Sequence, residues 1–188
     1  MKAKAFPRAF LIGVLATGAT LFATPTLAEE FRCTGVVGPV SLDNVFVPDG
    51  ASCVLDRTRM NGSVVVGNGA SLQATSVSIN GNLQAEGAAS VRVGGFSTVG
   101  GSVQLVQGGT ASIDRARIKG DLQFESNTAA ISATGNVIGG NLQAFQNTGG
   151  ASFINNRMNG NMQCKENIPA PTGSGNQSPS KEDQCAGL

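Results

Sequence analysis

The chain has 188 residues, with 13 Lys and Arg, 12 Asp and Glu, and a formal net charge of +1. It contains no His, Trp or Tyr, so it lacks the commonest general base and metal ligand and the larger aromatic platforms for sugar rings. Its near-neutral charge also argues against nucleic-acid binding, which depends on phosphate neutralisation.

Residues 1–28 predict a secretory signal peptide. Three basic residues in MKAKAFPR precede the apolar run LIGVLATGATLFA, and Thr26 and Ala28 are small residues before the expected cleavage site. The run is too short and too rich in Gly and Thr to be a membrane-spanning anchor. Cleavage after Ala28 leaves ten basic and twelve acidic residues, a net charge of −2, and we expect no membrane span in the mature chain.

A short phrase recurs along the mature chain at a nearly constant interval. Its glycines are Gly62, Gly81, Gly101, Gly120, Gly140 and Gly160, spaced by 19 or 20 residues, with a divergent copy at Gly38. A fixed period near 20 indicates a solenoid, and helical repeats are longer. The abundance of Gly, Asn, Ser, Thr and Val favours strands and turns.

Apolar residues within each repeat alternate in short bursts. Leu72 and Ala74 flank Gln73, and Val77 and Ile79 flank Ser78, a pattern typical of short strands with one inward face. We predict an all-β fold, a single-stranded parallel β-helix of about seven coils of 19–20 residues, capped at both ends. We expect insertions in the corners and the repeated glycine where a corner needs an unusual backbone angle.

The same alignment divides the chain and predicts its core. Apolar residues at 79, 83 and 85 recur at 99, 103 and 105 and again at 118, 122 and 124, which predicts one continuous core. Residues 29–164 are expected to form the β-helix with its N-terminal cap. Residues 165–188, rich in Pro, Gly and Ser, are expected to form a C-terminal capping loop that leaves the protein monomeric, because covered strand edges do not polymerise.

Two polar columns follow from the alignment. The first contains Gln84, Gln104, Gln123, Gln143 and Gln163, and the second contains Ser63, Asn82, Ser102, Asp121, Asn141 and Asn161. Stacked amides of this kind form structural ladders along a stack of strands, and the same columns offer a flat surface to a polysaccharide. A similar inner ladder is expected between Asn136 and Asn156.

The four cysteines lie near the two ends of the repeat array. Cys33 and Cys53 are 20 residues apart, and Cys164 and Cys185 are 21 apart. An even number in an exported chain favours disulfides, and the spacing does not resemble a zinc site. Of the three connectivities, we predict the local pairs Cys33–Cys53 and Cys164–Cys185.

The segments ASFINNRMNG and ISATGNVIGG resemble the repeat of right-handed parallel β-helices of the pectin-lyase type. The C-terminal stretches PAPTGSGN and KEDQCAGL also resemble those of a group of secreted bacterial proteins. The resemblance covers about residues 33–188 and implies the fold alone, because lyases, hydrolases, adhesins and inert scaffolds all use it.

Two function classes remain open. The first is a non-catalytic exported protein, extracellular, on the cell surface or periplasmic, that presents a rigid face to a polysaccharide or to another surface protein. Its candidate ligand face contains Gln84, Gln104, Gln123, Gln143, Arg115, Arg117 and Lys119. The second class is a polysaccharide lyase or glycoside hydrolase.

The enzyme hypothesis would use the charged segment IDRARIKGDLQFE, with Asp114, Asp121 and Glu125 beside the basic residues. Short, even repeats leave no loop long enough to wall a groove, and LDRTRMNG at 55–62 repeats the same charge pattern. We therefore assign no catalytic residue, no cofactor and no metal ligand.

Overall fold

The computed structural model describes residues 30–188, and the signal peptide predicted at 1–28 lies outside the described residues. Within residues 30–188 the chain forms short strands and turns and no helix. The strands, in chain order, are β1 (Glu30–Arg32), β2 (Val36–Val37), β3 (Ser41–Leu42), β4 (Asn44–Val47), β5 (Ser52–Asp56), β6 (Arg59–Met60), β7 (Val64–Val66), β8 (Ser71–Thr75), β9 (Ser78–Ile79), β10 (Leu83–Glu86), β11 (Ser90–Gly94), β12 (Thr98–Val99), β13 (Val103–Val106), β14 (Thr110–Asp114), β15 (Arg117–Ile118), β16 (Leu122–Glu125), β17 (Ile131–Thr134), β18 (Val137–Ile138), β19 (Leu142–Phe145), β20 (Ala151–Ile154), β21 (Arg157–Met158), β22 (Met162–Lys165), β23 (Thr172–Ser174) and β24 (Lys181–Asp183).

The strands form three parallel sheets that run along the molecule. Sheet A has the order β1-β4-β7-β10-β13-β16-β19-β22-β24, sheet B the order β2-β5-β8-β11-β14-β17-β20-β23, and sheet C the order β3-β6-β9-β12-β15-β18-β21. Each of the first seven coils passes through sheet B, then sheet C, then sheet A. The last turn has a single bridge from Gln177 to Arg157 in place of a sheet C strand. The predicted all-β parallel solenoid is therefore confirmed.

The solenoid has about eight turns, since sheet B alone contains eight strands, and the prediction of about seven was one too few. The additional turn comes from residues 165–188, which were expected to be an irregular capping loop. In this segment β23 pairs with β20, and β24 pairs with β22. These strands have only three residues each, and β23 includes Gly173, so the Pro- and Gly-rich composition that suggested a loop did not exclude them. The capping role of the segment stays a prediction.

The inward residues stack into one continuous core, as the alignment predicted. The inward columns include Ile79, Val99 and Ile118 in sheet C and Leu83, Val103 and Leu122 in sheet A. All six are at most 1% exposed, and burial of such a side chain contributes about 1.5–3 kcal/mol. In the C-terminal half of the solenoid the rings of Phe124 and Phe153 lie with their centroids 6.0 Å apart, which joins the inner faces of sheets A and B.

The repeated glycine has a different cause from the one predicted. Gly140 has an ordinary backbone conformation, but a Cβ there would lie 2.1 Å from Oδ1 of Asp121 in the preceding coil. That same Oδ1 accepts a hydrogen bond of 2.7 Å from the backbone N–H of Asn141. A side-chain oxygen of the preceding coil lies equally close to the Cβ position of the other repeated glycines, Gly62, Gly81, Gly101, Gly120 and Gly160. The glycine is needed because a side-chain oxygen from the coil before occupies the space of its Cβ.

The left-handed backbone positions lie instead in the turns that leave sheets A and B. Arg57 and Arg115 follow sheet B with φ of 53° and 48°, and Gln107 and Gln146 follow sheet A with φ of 52° and 56°. Such a conformation costs a residue with a Cβ about 1–2 kcal/mol. These four side chains are exposed, so the turns carry the variable outer residues of the solenoid.

Both predicted disulfides are present. Cys33 is joined to Cys53 near the N-terminal end with a Cα–Cα distance of 5.5 Å, and Cys164 is joined to Cys185 near the C-terminal end with a Cα–Cα distance of 5.2 Å. All four cysteines are at most 1% exposed. A closed loop of this length stabilises the folded chain by about 3 kcal/mol in the loop-entropy model, so both ends are held covalently.

Candidate ligand-binding faces

The glutamine column of sheet A is a hydrogen-bonded ladder. Each Nε2 donates to the Oε1 of the glutamine in the next coil, over 2.9 Å from Gln84 to Gln104 and 2.8 Å from Gln143 to Gln163. Gln123 links the two halves with bonds of 2.9 Å on each side. The column ends where Gln163 donates to Oε2 of Glu182. The structural interpretation of this column is therefore confirmed, and its use as a ligand face stays a prediction.

The second polar column is built differently from the predicted amide stack. Its side-chain oxygens accept from the backbone N–H of the matching residue in the next coil, as when Asn82 Oδ1 accepts from Ser102 N over 2.8 Å. Ser, Asp and Asn all perform this task, because each supplies one short side-chain oxygen. The column therefore holds the corner between sheets C and A and is not a free surface.

Two asparagine ladders lie inside the solenoid. The predicted one joins Asn136 to Asn156 by a bond of 2.9 Å, and Asn156 to Asn176 likewise. A second ladder, which the sequence analysis missed, runs through Asn127, Asn147 and Asn167 and ends on the Gln184 side chain. Buried amides that are all bonded to one another stabilise the turns, and they are too enclosed to serve a ligand.

Sheet C and the turn after β15 carry an outward row of cations that we call the basic strip, defined as Arg59, Arg117, Lys119 and Arg157. The three arginines are the first residues of β6, β15 and β21 and share one outward column. All four side chains are exposed. Within residues 30–188 none of them forms a salt bridge, so their charges face solvent.

The turn that enters sheet C adds two cations that are already paired. Arg57 lies 2.8 Å from Asp56, and Arg115 lies 2.8 Å from Asp114. The repeated charge pattern in LDRTRMNG and IDRARIKG thus corresponds to one repeated ion pair. Six of the ten Lys and Arg residues in 30–188 lie on sheet C or on the turns that enter and leave it, which makes this side of the molecule basic.

Phe96 is an exposed aromatic residue beside the basic strip. Compared with the preceding coil, its turn has one more residue, so the prediction that insertions fall in corners holds here. Phe96 has φ of 63° and is 74% exposed, and the guanidinium carbon of Arg115 lies 5.5 Å from its ring centroid. A bulky residue in this conformation is uncommon, and here it places an aromatic face in solvent next to cations.

The structure separates the residues that were grouped as one candidate ligand face. Gln84, Gln104, Gln123 and Gln143 lie on sheet A, whereas Arg117 belongs to sheet C. Arg115 precedes sheet C, and Lys119 follows its strand β15. The charged segment considered for an enzyme is also divided, since Asp114 ends β14 in sheet B and Glu125 ends β16 in sheet A. Among residues 30–188, no three Cys, Asp or Glu side chains cluster as metal ligands would.

Arg59 and Arg157 belong to the strip although the sequence analysis did not select them. A signal was present, because RMNG occurs at 59–62 and again at 157–160, and RIKG occurs at 117–120. The residue three positions before the repeated glycine is arginine in each of these phrases. Phe96 had no comparable signal, since its exposure depends on the conformation of one enlarged turn.

The two disulfides indicate that the chain folds in an oxidising, exported environment. In the part of the chain from residue 30 onward, there is no helix of the length and apolarity needed to cross a membrane. The three stacked sheets, rather than likeness to a known protein, establish the fold, because no family model, no curated protein and no solved structure matches this chain.

Proposed function

We propose that the protein is a non-catalytic exported protein whose basic strip binds an extended acidic polysaccharide. The observation that carries the proposal is the alignment of Arg59, Arg117 and Arg157 in one outward column of a rigid sheet, without carboxylate partners among residues 30–188. We also propose that the chain is related to the β-helices of the pectin-lyase type and to the secreted bacterial proteins that its sequence resembles.

The spacing of the strip favours an extended ligand over a compact one. Coils in a parallel stack repeat every 4.8 Å or so, which separates Arg59 from Arg117 by about 14 Å and Arg117 from Arg157 by about 10 Å. Charges that lie along one line at these distances match carboxylates along a stretched polymer. A small anion could contact only one arginine at a time.

The rigidity of the sheet favours binding through a few weak contacts. Each strand of sheet C is held by a strand on either side except at the ends, so the backbone under the strip is already ordered before a ligand arrives. Association then costs little additional ordering of the protein. Phe96 adds an aromatic face on which a sugar ring can stack, next to the paired Arg115.

The test is retention on immobilised alginate, a polymer of uronic acids, at low and high salt. The variant Arg117→Ser with Arg157→Ser uses the residue that the same column contains at Ser41 and Ser78, so the repeat tolerates the change. Two exposed ion contacts of about 0.2–1 kcal/mol each predict binding that is roughly 2- to 30-fold weaker.

The matched control is Arg32→Ser with Arg92→Ser, which removes the same charge from sheets A and B. We expect this control to bind like the wild type, and we expect wild-type retention to fall steeply with salt because exposed charges are screened. If both double variants lost binding equally, the loss would be due to net charge alone, and the proposal that the basic strip is the binding site would be refuted. Release of shortened or unsaturated products would refute the non-catalytic proposal and favour the lyase or hydrolase.

A further inference from the structure

Sheet A carries an open groove of about 730 Å3 near the N-terminal half of the solenoid. We call it the sheet A groove and define it by Val65, Gln84, Glu86, Gln104, Val106 and Gln107. Its volume lies within the range of about 300–1,000 Å3 that is usual for ligand sites. The groove lies on a different sheet from the basic strip, so a ligand can bind there whether or not the strip binds a polysaccharide.

The groove exists because one coil lacks a side chain in its wall. Gly87 follows β10 at the position where the next coils have Gln107, Ser126 and Gln146, all in the same left-handed conformation. At Gly87 the wall has no side chain of its own, and Asn68 of the preceding coil, which also lines the groove, has its Nδ2 2.5 Å from where a Cβ would lie. The repeat therefore shows which side chain would close this opening.

The glutamine ladder begins in this groove with an open acceptor. Gln84 donates its Nε2 to Gln104, but among residues 30–188 nothing donates to Gln84 Oε1. The preceding coil has Val65 at the paired position, and valine has no side-chain donor. The opposite end of the ladder is closed by Glu182, so only the end in the groove lacks a partner.

The other lining groups define what the ligand must offer. Glu86 lies two residues beyond Gln84 on the same strand, about 7 Å along it, and has no salt bridge among the described residues. No Lys or Arg lines the groove. Val65, which is 39% exposed, and the half-buried Val106 supply an apolar floor between these polar groups.

From this arrangement we infer that the sheet A groove binds a saccharide that carries a free amino group. The ammonium group donates to the carboxylate of Glu86 and the sugar hydroxyls donate to Gln84 Oε1. The amides of Gln104 and Gln107 exchange hydrogen bonds with the remaining hydroxyls, and the C–H face of the ring lies on Val65 and Val106. A lysine side chain offers an ammonium group to Glu86 but has no hydroxyls to bond to these amides.

The experiment compares three tetrasaccharides at pH 6: glucosamine oligomers, their N-acetylated counterparts and neutral β-linked glucose oligomers. Binding is measured by calorimetry and by NMR shifts of the Gln84 and Gln104 side-chain amides and the Gly87 backbone amide. The glucosamine oligomer is expected to shift these signals and to bind at least tenfold more tightly than either of the others. Equal affinity for the neutral oligomer, or no shift of these signals, would overturn the inference.

Two variants locate the site. Gly87→Gln places in the wall the residue that the next coil has at Gln107, and it should abolish binding. Glu86→Gln, an exposed and nearly isosteric change, should weaken binding of the glucosamine oligomer at least fivefold and leave the affinity for the neutral oligomer unchanged.

The control is Gly135→Asn, which fills another left-handed glycine in a turn after sheet B, where the next coil has Asn155. This control should bind like the wild type. Circular dichroism checks that all variants are folded. Full affinity in folded Gly87→Gln protein would place the ligand elsewhere and overturn the inference, and so would unchanged affinity in Glu86→Gln.

Discussion

Asn147 offers the sharpest test of what the inner ladders contribute. Its side chain is fully buried, and its Oδ1 accepts from both the backbone N–H and the Nδ2 of Asn127, over 3.0 and 2.9 Å. Its Nδ2 donates to the carbonyl of Phe124 and to Asn167 Oδ1. The substitution Asn147→Ala removes all of these bonds in a place that water does not reach.

The cost follows from the groups that lose their only acceptor. Two N–H groups of Asn127 become unsatisfied, and each buried donor of this kind costs about 1–3 kcal/mol. The expected loss is therefore about 2–6 kcal/mol, a large part of the 5–15 kcal/mol by which domains are usually stable. With a urea dependence near 2 kcal/mol per molar, a loss of 4 kcal/mol lowers the unfolding midpoint by about 2 M.

The matched comparison is Gln123→Ala in the outer ladder. This substitution removes two side-chain hydrogen bonds of 2.9 Å each. The partners of Gln123 can bond to water instead, so the expected loss of stability is about 1 kcal/mol or less. Urea unfolding followed by far-UV circular dichroism measures both, since the chain has no Trp or Tyr for fluorescence. An Asn147→Ala midpoint as high as that of Gln123→Ala would refute the reasoning.

Three further outcomes follow from the core, the corner and the cross-links. Leu122→Asp should abolish folding, because an unpaired charge in the core costs several kcal/mol; a soluble variant with a normal melting transition would contradict the register. Gly140→Ala should cost about 1–3 kcal/mol by overpacking, whereas Gly35→Ala, which meets nothing within 4 Å, should be near neutral by thermal unfolding. Non-reducing peptide maps should contain the two disulfides described above, and a peptide joining Cys33 to Cys185 would refute that pairing.

The fold was predictable because two periods coincide in the sequence. Alternation such as Leu83-Gln84-Ala85 indicates a strand, and its return 20 residues later at Val103-Gln104-Leu105 indicates a stack. Both patterns can be seen in the sequence without knowledge of distant contacts, because each strand pairs with the strand one repeat further along the chain. The eighth turn was missed because β23 and β24 do not repeat the phrase that marks the other coils.

The polar positions were harder to predict, because Asn occurs both in exposed turns and in buried ladders. Asn136 was recognised as internal, but Asn127 was not, and what distinguishes the inner positions is the left-handed residue just before them, such as Ser126. The basic strip was only half recognised, because the recurrence of arginine three positions before the repeated glycine, at Arg59 and Arg157, was not used. Arg115 was grouped with Arg117 because they are close in sequence, but Arg115 has an aspartate partner and Arg117 has none among residues 30–188.

Neighbouring coils in the middle of the solenoid follow the same path, and this determines how such a chain can change length. Removing residues 127–146 would join Ser126 directly to Asn147, which occupies the place of Asn127 one coil on. Gln123 would then stack on Gln163 and Ile118 on Met158, the same kinds of partners that they have now. Duplication or loss of a whole coil thus changes the length of the molecule by about 4.8 Å and leaves both disulfide-linked ends intact. The number of coils between the two ends can therefore change while the sequence of each end stays the same.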